Sequence, residues 1–483
     1  MRTCARGMTP SAGVSIVVDS ASSGVGQVTD PNERSGPREA ELSLQRVLAP
    51  SEAAMAVTGT PTVVSWTLHG DLDIGLLREA VRTLSHHMPV LAARIVETPG
   101  GLVLRRDAAD APVDVSVAPD GWAPQDADLL RPDDQVLRVL VHRDAPREHT
   151  LTLLAWHAVS DGACLLALHR RLWRIYRDLA TGAGTAVAAE TAVLPRPVEE
   201  QLLTRHTPDD IAAYAAHWSA RLDASQPAVL PAQAAHDGRP GPARGAHRHR
   251  FVLPAEQAAS LAREARRWNA SANSALCAIA TTAVRTLLPP EDGPVQLTCL
   301  VPVDLRPRLH PPLPADDVAF AASTASATVT VGPHSDLGSI AGEISRQLRT
   351  ALDAGHAELE YLATAQMLNR LASSAVTLAV SNVTHHSSPP VLPDGLTATR
   401  LHVLTIPPGP VPTVFVTRHG EAICLDLIQP RAWYTHEQAD HLADALHHVL
   451  TAHAGVEPGA RGELDWSRCA IDSVSARAAQ GGH

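Results

Sequence analysis

Apolar and polar positions change period repeatedly between Glu41 and His453. Residues 63–68 alternate as a strand does, and 73–88 then carry Leu76, Leu77, Ala80, Val81 and Leu84 at helical spacing. Residues 136–142 and 150–156 read as two strands around a polar turn. After the second of these, a short polar segment leads into a helix whose apolar positions 164, 165, 168, 172, 175, 176 and 179 trace one face. His157 therefore falls at a strand-to-helix turn, where rigid elements can hold a polar side chain at the mouth of a cleft.

The stretch 184–249 breaks this rhythm with Pro195, Pro197, Pro227, Pro231, Pro240 and Pro242 and with the run GRPGPARGAHRHR. It reads as a linker holding one helix at 208–224, whose Asp209 and Asp210 suit the positive end of the helix dipole. Alternation then resumes. Helices are predicted at 254–268, 273–288, 337–354 and 435–453, and strands at 295–303, 319–331, 376–380, 413–417 and 423–428. The expected organisation is a tail at 1–40, an N-terminal lobe at 41–183, the linker at 184–249, a C-terminal lobe at 250–455 and a second tail at 456–483. The pattern predicts two mixed α/β halves.

Composition narrows the chemistry. The chain has 483 residues, 45% of them hydrophobic, enough to bury large cores. With 40 basic against 51 acidic side chains its net charge is −11, which argues against nucleic acid or an anionic membrane as partner. Every basic residue is arginine, so there is no ammonium for a P-loop, a pyridoxal Schiff base or a catalytic lysine. The six cysteines are widely separated, with no C-x-x-C pair, which suggests neither a disulfide framework nor a thiolate metal site and fits a reducing cytosol. No apolar run approaches the ~20 residues that a membrane span needs. The run at 14–18 is shorter than the ~7–15 apolar residues of a secretory signal. A soluble cytoplasmic protein, monomeric and free of bound metal, is expected.

The segment LTLLAWHAVSDGACLLALHRRLWRIYRDLATG carries the most information. Its His157-x-x-x-Asp161-Gly162 after a hydrophobic strand resembles the H-H-x-x-x-D-G motif of the CoA-dependent acyltransferase superfamily, which includes chloramphenicol acetyltransferase, condensation domains of nonribosomal peptide synthetases and polyketide-associated acyltransferases. MPVLAARI, AYAAHWSARLDASQPAVLP, NASANSALCAIATTAVRTLL, VPVDLRPRL and AVSNV resemble further family segments in the family's order, so that the resemblance spans about residues 41–450. It implies two chloramphenicol acetyltransferase-like lobes in a pseudo-dimeric V-shape with a central channel. It also implies transfer of an acyl group from CoA or a phosphopantetheine-bearing carrier protein to a small-molecule acceptor. No tightly bound cofactor is implied.

Residue by residue, the resemblance makes His157 the general base and pairs Asp161 with Arg306 in a buried ion pair that fixes the loop. Gly162 would let the backbone approach a pantetheine arm. Trp156, Ser160 and Asn382 are candidates for the channel wall, with Asn382 or backbone N–H groups as oxyanion donors. The sequence departs from the motif at Trp156, where the first histidine would stand. Condensation domains usually keep both histidines, so the departure favours ester formation on an alcohol over amide formation on an amine. A non-catalytic carrier-protein-binding member of the fold is the other alternative.

The remaining features read more plainly. Ser160 is placed to cap the following helix, and without a G-x-S-x-G elbow it does not suggest a hydrolase. The pairs His86-His87, His385-His386 and His447-His448 read as surface or loop residues, His385-His386 standing closest to Asn382. His169, Arg170, Arg171, Arg174 and Arg177 read as a solvated helix face, with a basic patch for CoA phosphates or an acidic carrier protein as the alternative.

Overall fold

The computed structural model describes residues 44–107, 110–183, 193–225, 227–232, 241, 243–289, 293–371 and 376–453. The two expected tails and, within the expected linker, residues 184–192, 226, 233–240 and 242 lie outside these residues.

The first half runs β1 (Leu44–Val47), α1 (Pro50–Thr58), β2 (Pro61–His69), α2 (Ile74–His87), β3 (Arg94–Thr98), β4 (Gly101–Arg106), β5 (Val115–Val117), β6 (Leu137–Ala145), β7 (Glu148–Trp156) and α3 (Gly162–Ala180). Two helices follow, α4 (Val198–Leu202) and α5 (Pro208–Ser225). The second half runs β8 (Ala246–Leu253), α6 (Ala255–Arg267), α7 (Ala272–Leu287), β9 (Val295–Asp304), β10 (Ala322–Val331), α8 (Leu337–Asp353) and α9 (His356–Leu371). It closes with β11 (Leu378–Asn382), β12 (Thr397–Thr405), β13 (Thr413–His419), β14 (Ala422–Pro430) and α10 (His436–His453).

These strands form a small sheet β1-β4-β3, a five-stranded sheet β12-β2-β7-β6-β5 and a six-stranded sheet β10-β9-β11-β13-β14-β8. Strands β2 and β7 run antiparallel, with Val64 opposite Leu153. Both are buried along nearly their whole length, because α3 packs on one face and the second half covers the other. Burial on both faces explains why β7 reads as a continuous apolar run. Its polar interruptions are paired across the ladder, Ser65 with Thr152 at 2.8 Å and Thr67 with Thr150 at 3.3 Å. In the six-stranded sheet β11 lies parallel to both β9 and β13, and the other pairs are antiparallel.

The predicted elements with strong periodicity are present, most of them within two or three residues of the expected ends. Helix α2 starts where Asp73 accepts a hydrogen bond from the Leu76 N–H at 3.0 Å. Two differences matter for the site. Strand β12 belongs by chain order to the second half yet pairs along β2 of the first sheet, with Val403 opposite Val64 and Thr405 opposite Thr62. Strand β8 begins at Ala246, inside the stretch that reads as linker, and forms the edge of the second sheet beside β14. All of these residues fall in a single compact unit.

Candidate active site

The turn between β7 and α3 is closed by its own backbone and side chains. The Val159 N–H donates to Trp156 O at 3.2 Å, and Ser160 Oγ donates to the same carbonyl at 2.8 Å. Ser160 is thereby a turn-closing residue, buried and away from the cavity described below, and not the helix cap. The cap is Asp161, whose Oδ1 accepts from the Cys164 N–H at 3.0 Å.

The other oxygen of Asp161 turns toward the second half. Oδ2 accepts from Arg306 Nη1 at 2.9 Å and from the Ala321 N–H at 2.9 Å. Arg306 stands in a short 3-10 turn at the end of β9 and donates further to Asp304 Oδ1 at 3.1 Å and Ala319 O at 3.1 Å. Both Asp161 and Arg306 are buried. Burial opposes the guanidinium charge, yet the Asp161 and Asp304 carboxylates outweigh it and raise its basicity further. A buried ion pair of this kind is a geometric fixture, since removing either partner strands a charge.

His157 is carried by the same turn. Its backbone N–H donates to Thr60 O at 3.2 Å on the edge of β2, and its ring meets Phe320 edge-on at 5.2 Å between centroids. Nδ1 lies 2.9 Å from Ser160 O. A carbonyl only accepts, so Nδ1 carries the proton and Nε2 keeps its lone pair. The ring is half-buried at a cavity wall deep in the fold. Burial lowers its basicity below the ordinary 6.5, against the Ser160 contact and the Asp161 charge, which raise it. A neutral imidazole with one fixed tautomer results.

That cavity, of about 540 Å³, lies between the two larger sheets. Thr60, Thr62, Val403 and Thr405 line it from the first, and Leu300, Val301, Val303, Ala379, Ser381 and Phe415 from the second. His157, Asp161, Gly162, Arg306 and Asn382 all reach it. Its size is in the range of small-molecule sites, and its wall is largely apolar. A Cβ at Gly162 would approach Val403 at 3.5 Å, an ordinary contact, so the glycine keeps cavity space without being forced by backbone geometry.

Asn382 ends β11 at the cavity wall. Its Oδ1 accepts from the Thr384 N–H at 3.1 Å and from Thr384 Oγ1 at 2.7 Å. Because an N–H can only donate, the amide orientation is set, and Nδ2 is left buried without a partner. Thr384 is thus what orients the amide.

Trp156 is not a channel residue. It is opposite Pro61 at the end of β7, 1% exposed, and belongs to the core of the first half with Trp173. Consecutive strand residues point to opposite faces, so the neighbour of a cavity-facing His157 turns inward. His169 is also core: its Nε2 donates to Val64 O at 3.0 Å, and burial lowers its basicity to about 4. Conversely, His385 and His386 line the cavity, although they read as loop residues. His386 Nε2 lies 3.6 Å from Asp304 Oδ2. Burial works against ionisation of Asp304, and the His386 contact and Arg306 charge prevail and hold its carboxyl below the usual range. Cys164, beside the motif, is buried with its thiol pushed up to about 12 by burial, which removes it as a nucleophile.

Comparison with known proteins agrees with this architecture. Residues 242–422 match the family profile described as the C-terminus of phthiocerol/phthiodiolone dimycocerosyl transferase. The phthiocerol/phthiodiolone dimycocerosyl transferases of Mycobacterium tuberculosis and Mycobacterium bovis are 27% identical over 330 residues, which cover 65% of this chain and 74% of theirs. Among solved structures, polyketide synthase associated protein 5 from Mycobacterium tuberculosis superimposes with TM-score 0.65 at 19% identity, covering 84% of this chain and 97% of that one. Over residues 242–422 the chain is similar to this transferase family, and its fold is the one of polyketide synthase associated protein 5.

Other structures of the fold widen the comparison. A trichothecene 15-O-acetyltransferase from Fusarium sporotrichioides gives TM-score 0.68 at 11% identity, over 84% of this chain and 94% of that one. The first condensation domain of the calcium-dependent antibiotic synthetase gives 0.62 at 15% identity, over 86% and 98%. The mixed α/β architecture of this chain is the one these structures share. Among its described residues no helix is long and apolar enough to cross a membrane.

Proposed function

We propose that this acyltransferase moves an acyl group from a CoA or carrier-protein thioester to a hydroxyl of a lipid or polyketide-like acceptor, with His157 as general base. The observation that carries the reading is the tautomer of His157: Nδ1–H is committed to Ser160 O, which leaves the Nε2 lone pair as the base at the wall of a largely apolar cavity. The acceptor hydroxyl gives its proton to Nε2 as its oxygen bonds to the thioester carbonyl carbon. The tetrahedral intermediate then collapses, the C–S bond breaks, and the proton passes from the imidazolium to the departing thiolate. Asn382 Nδ2, oriented and unpartnered, is the donor offered to the oxyanion. Asp161 has both oxygens occupied by Cys164, Arg306 and Ala321, so it anchors the loop and relays no proton.

The apolar wall suits a hydrocarbon chain, and the kinship with transferases named for phthiocerol and phthiodiolone supports a lipid or polyketide acceptor. The test is intact-mass detection of products from a panel of acyl-CoA and acyl-carrier thioesters offered to long-chain alcohols and amines. Ester products with consumption of thioester are expected. Thioesters left intact, or amides alone, would contradict the reading.

A further inference from the structure

Ala319, Phe320 and Ala321 run between the 3-10 turn of Arg306 and the start of β10, all three buried, and four different groups hold their backbone. Ala319 O accepts from Arg306 Nη2 at 3.1 Å, and the Ala321 N–H donates to Asp161 Oδ2 at 2.9 Å. Ala321 O accepts from the Leu305 N–H at 2.8 Å, and Phe320 O accepts from the Tyr361 hydroxyl of α9 at 2.8 Å. Helix α9 is itself tied to α1 by Ser51 Oγ, which donates to Tyr361 O at 2.6 Å. A segment without regular structure that is fixed at this many points presents its middle side chain in one place.

That side chain is the Phe320 ring. It meets the His157 imidazole at 5.2 Å between centroids and 80° between planes, and it meets the Tyr361 ring at 5.1 Å. His157 lines the cavity and Phe320 is not among the lining residues, so the phenyl ring supports the imidazole from behind the wall. Such support has a purpose. The last torsion of a histidine is soft, and a half-turn about it would break the contact between Nδ1 and Ser160 O and redirect the lone pair of Nε2. One hydrogen bond to a carbonyl contributes modestly by itself, whereas an edge-on aromatic contact adds a dependence on ring orientation and distance.

We propose that Phe320 is a positioning residue for His157, its ring holding the imidazole in the orientation that offers Nε2 to the cavity, and that Tyr361 acts through it by anchoring the Phe320 carbonyl. This rests on the proposed role of His157 as general base. The charged and titratable groups around the ring are Asp161, paired with Arg306, and beyond them Asp304 and His386. Replacing Phe320 leaves all four in place, so a changed titration of His157 would report the cover of its ring.

The test compares the full chain as wild type, Phe320→Ala, Phe320→Leu and Tyr361→Phe. Melting temperature, kcat and KM with an acyl-CoA and a long-chain alcohol, and the titration of His157 are measured. The titration is followed by NMR in protein labelled at histidine Cε1, with the signal assigned by its loss in His157→Asn. In Phe320→Ala, kcat is expected to fall about 10- to 100-fold with KM within about 3-fold, the cost of a misplaced catalytic group. The midpoint of His157 is expected to rise toward 6.5 as water reaches the ring. Tyr361→Phe is expected to move both quantities the same way by less. Should Phe320→Ala not fold, Phe320→Leu, which keeps the apolar bulk without the ring, is expected to lose about 10-fold in kcat. An unchanged kcat or an unchanged midpoint in Phe320→Ala would overturn the proposal. So would a lowered melting temperature with both unchanged, the mark of a structural role, or a raised KM with kcat unchanged, the mark of a substrate contact. If the wild type transfers no acyl group, the acyl-transfer reading fails, and the titration alone decides whether Phe320 governs the imidazole.

Discussion

At the scale of single residues, the reactivity of His157 follows from where its protons can go. A base must be neutral to act, and burial holds this imidazole below the ordinary 6.5. Under conditions where the chemical step limits, kcat/KM is therefore expected to be level from about pH 7 upward and to fall only as the pH drops beneath 6.5, where the folded enzyme begins to bind the proton. A profile still rising between pH 7 and 8 would show a base of ordinary or raised basicity and contradict the assignment. The motif made His157, Asp161 and Arg306 legible in the sequence, because their order and spacing survive in the chain. The directions of Trp156, Ser160 and His386 were not legible. Trp156 faces away through strand alternation, which its place next to His157 could have signalled. Ser160 is used by the turn, and His386 is brought to Asp304 by a loop between β11 and β12 that has no periodicity to read.

At the scale of elements, the site depends on contacts that cross from one half to the other. Asp161 joins the start of α3 to the end of β9 and to the segment before β10. Asp161→Ala removes the helix cap and leaves Arg306 with only Asp304 as counter-charge, so a loss of ~3–5 kcal/mol in unfolding free energy is expected by urea denaturation. A midpoint within error of the wild type would remove the ion pair from the account. A second set of contacts ties β12 to the sheet it does not belong to. Arg250 donates to Leu401 O at 2.5 Å and forms an ion pair with Asp426, while Arg248 Nη1 lies 2.8 Å from His402 Nδ1. These residues also explain what the sequence concealed. Strand β8 alternates charged and aromatic side chains that meet partners on β12, β14 and α10, so HRHR reads as linker by composition while forming a sheet edge. Strand β12 follows a proline-rich loop and carries an arginine and a histidine, and only the crossover supplies their partners. Helix α9 buries Glu358, Glu360 and Tyr361 among its residues, which erases the single apolar face by which helices are recognised.

At the scale of the whole molecule, the setting of the His157 turn, the ion pair and the cavity exist only because both halves are present. The cavity wall draws on β2 and β12 from one sheet and on β9, β10, β11 and β13 from the other. The same burial shapes stability against acid. His157, His169 and His402 are all held neutral by burial, with His169 lowered to about 4. Below pH 6.5 the unfolded chain binds protons that the folded chain refuses, so folding stability is complete above that pH and drains away as the pH falls toward 4. For His169 alone the loss approaches ~3 kcal/mol, and it should be absent in His169→Phe measured by urea unfolding at neutral and acid pH. Equal acid sensitivity in that variant would show that His169 is not among the groups responsible.

The most direct measurement is the rate of thioester-dependent acylation of a long-chain alcohol by His157→Ala beside the wild type, with melting curves of both. The account predicts a fall of ~10²–10⁴-fold in turnover with the melting curve unchanged. Turnover equal to that of the wild type would contradict it.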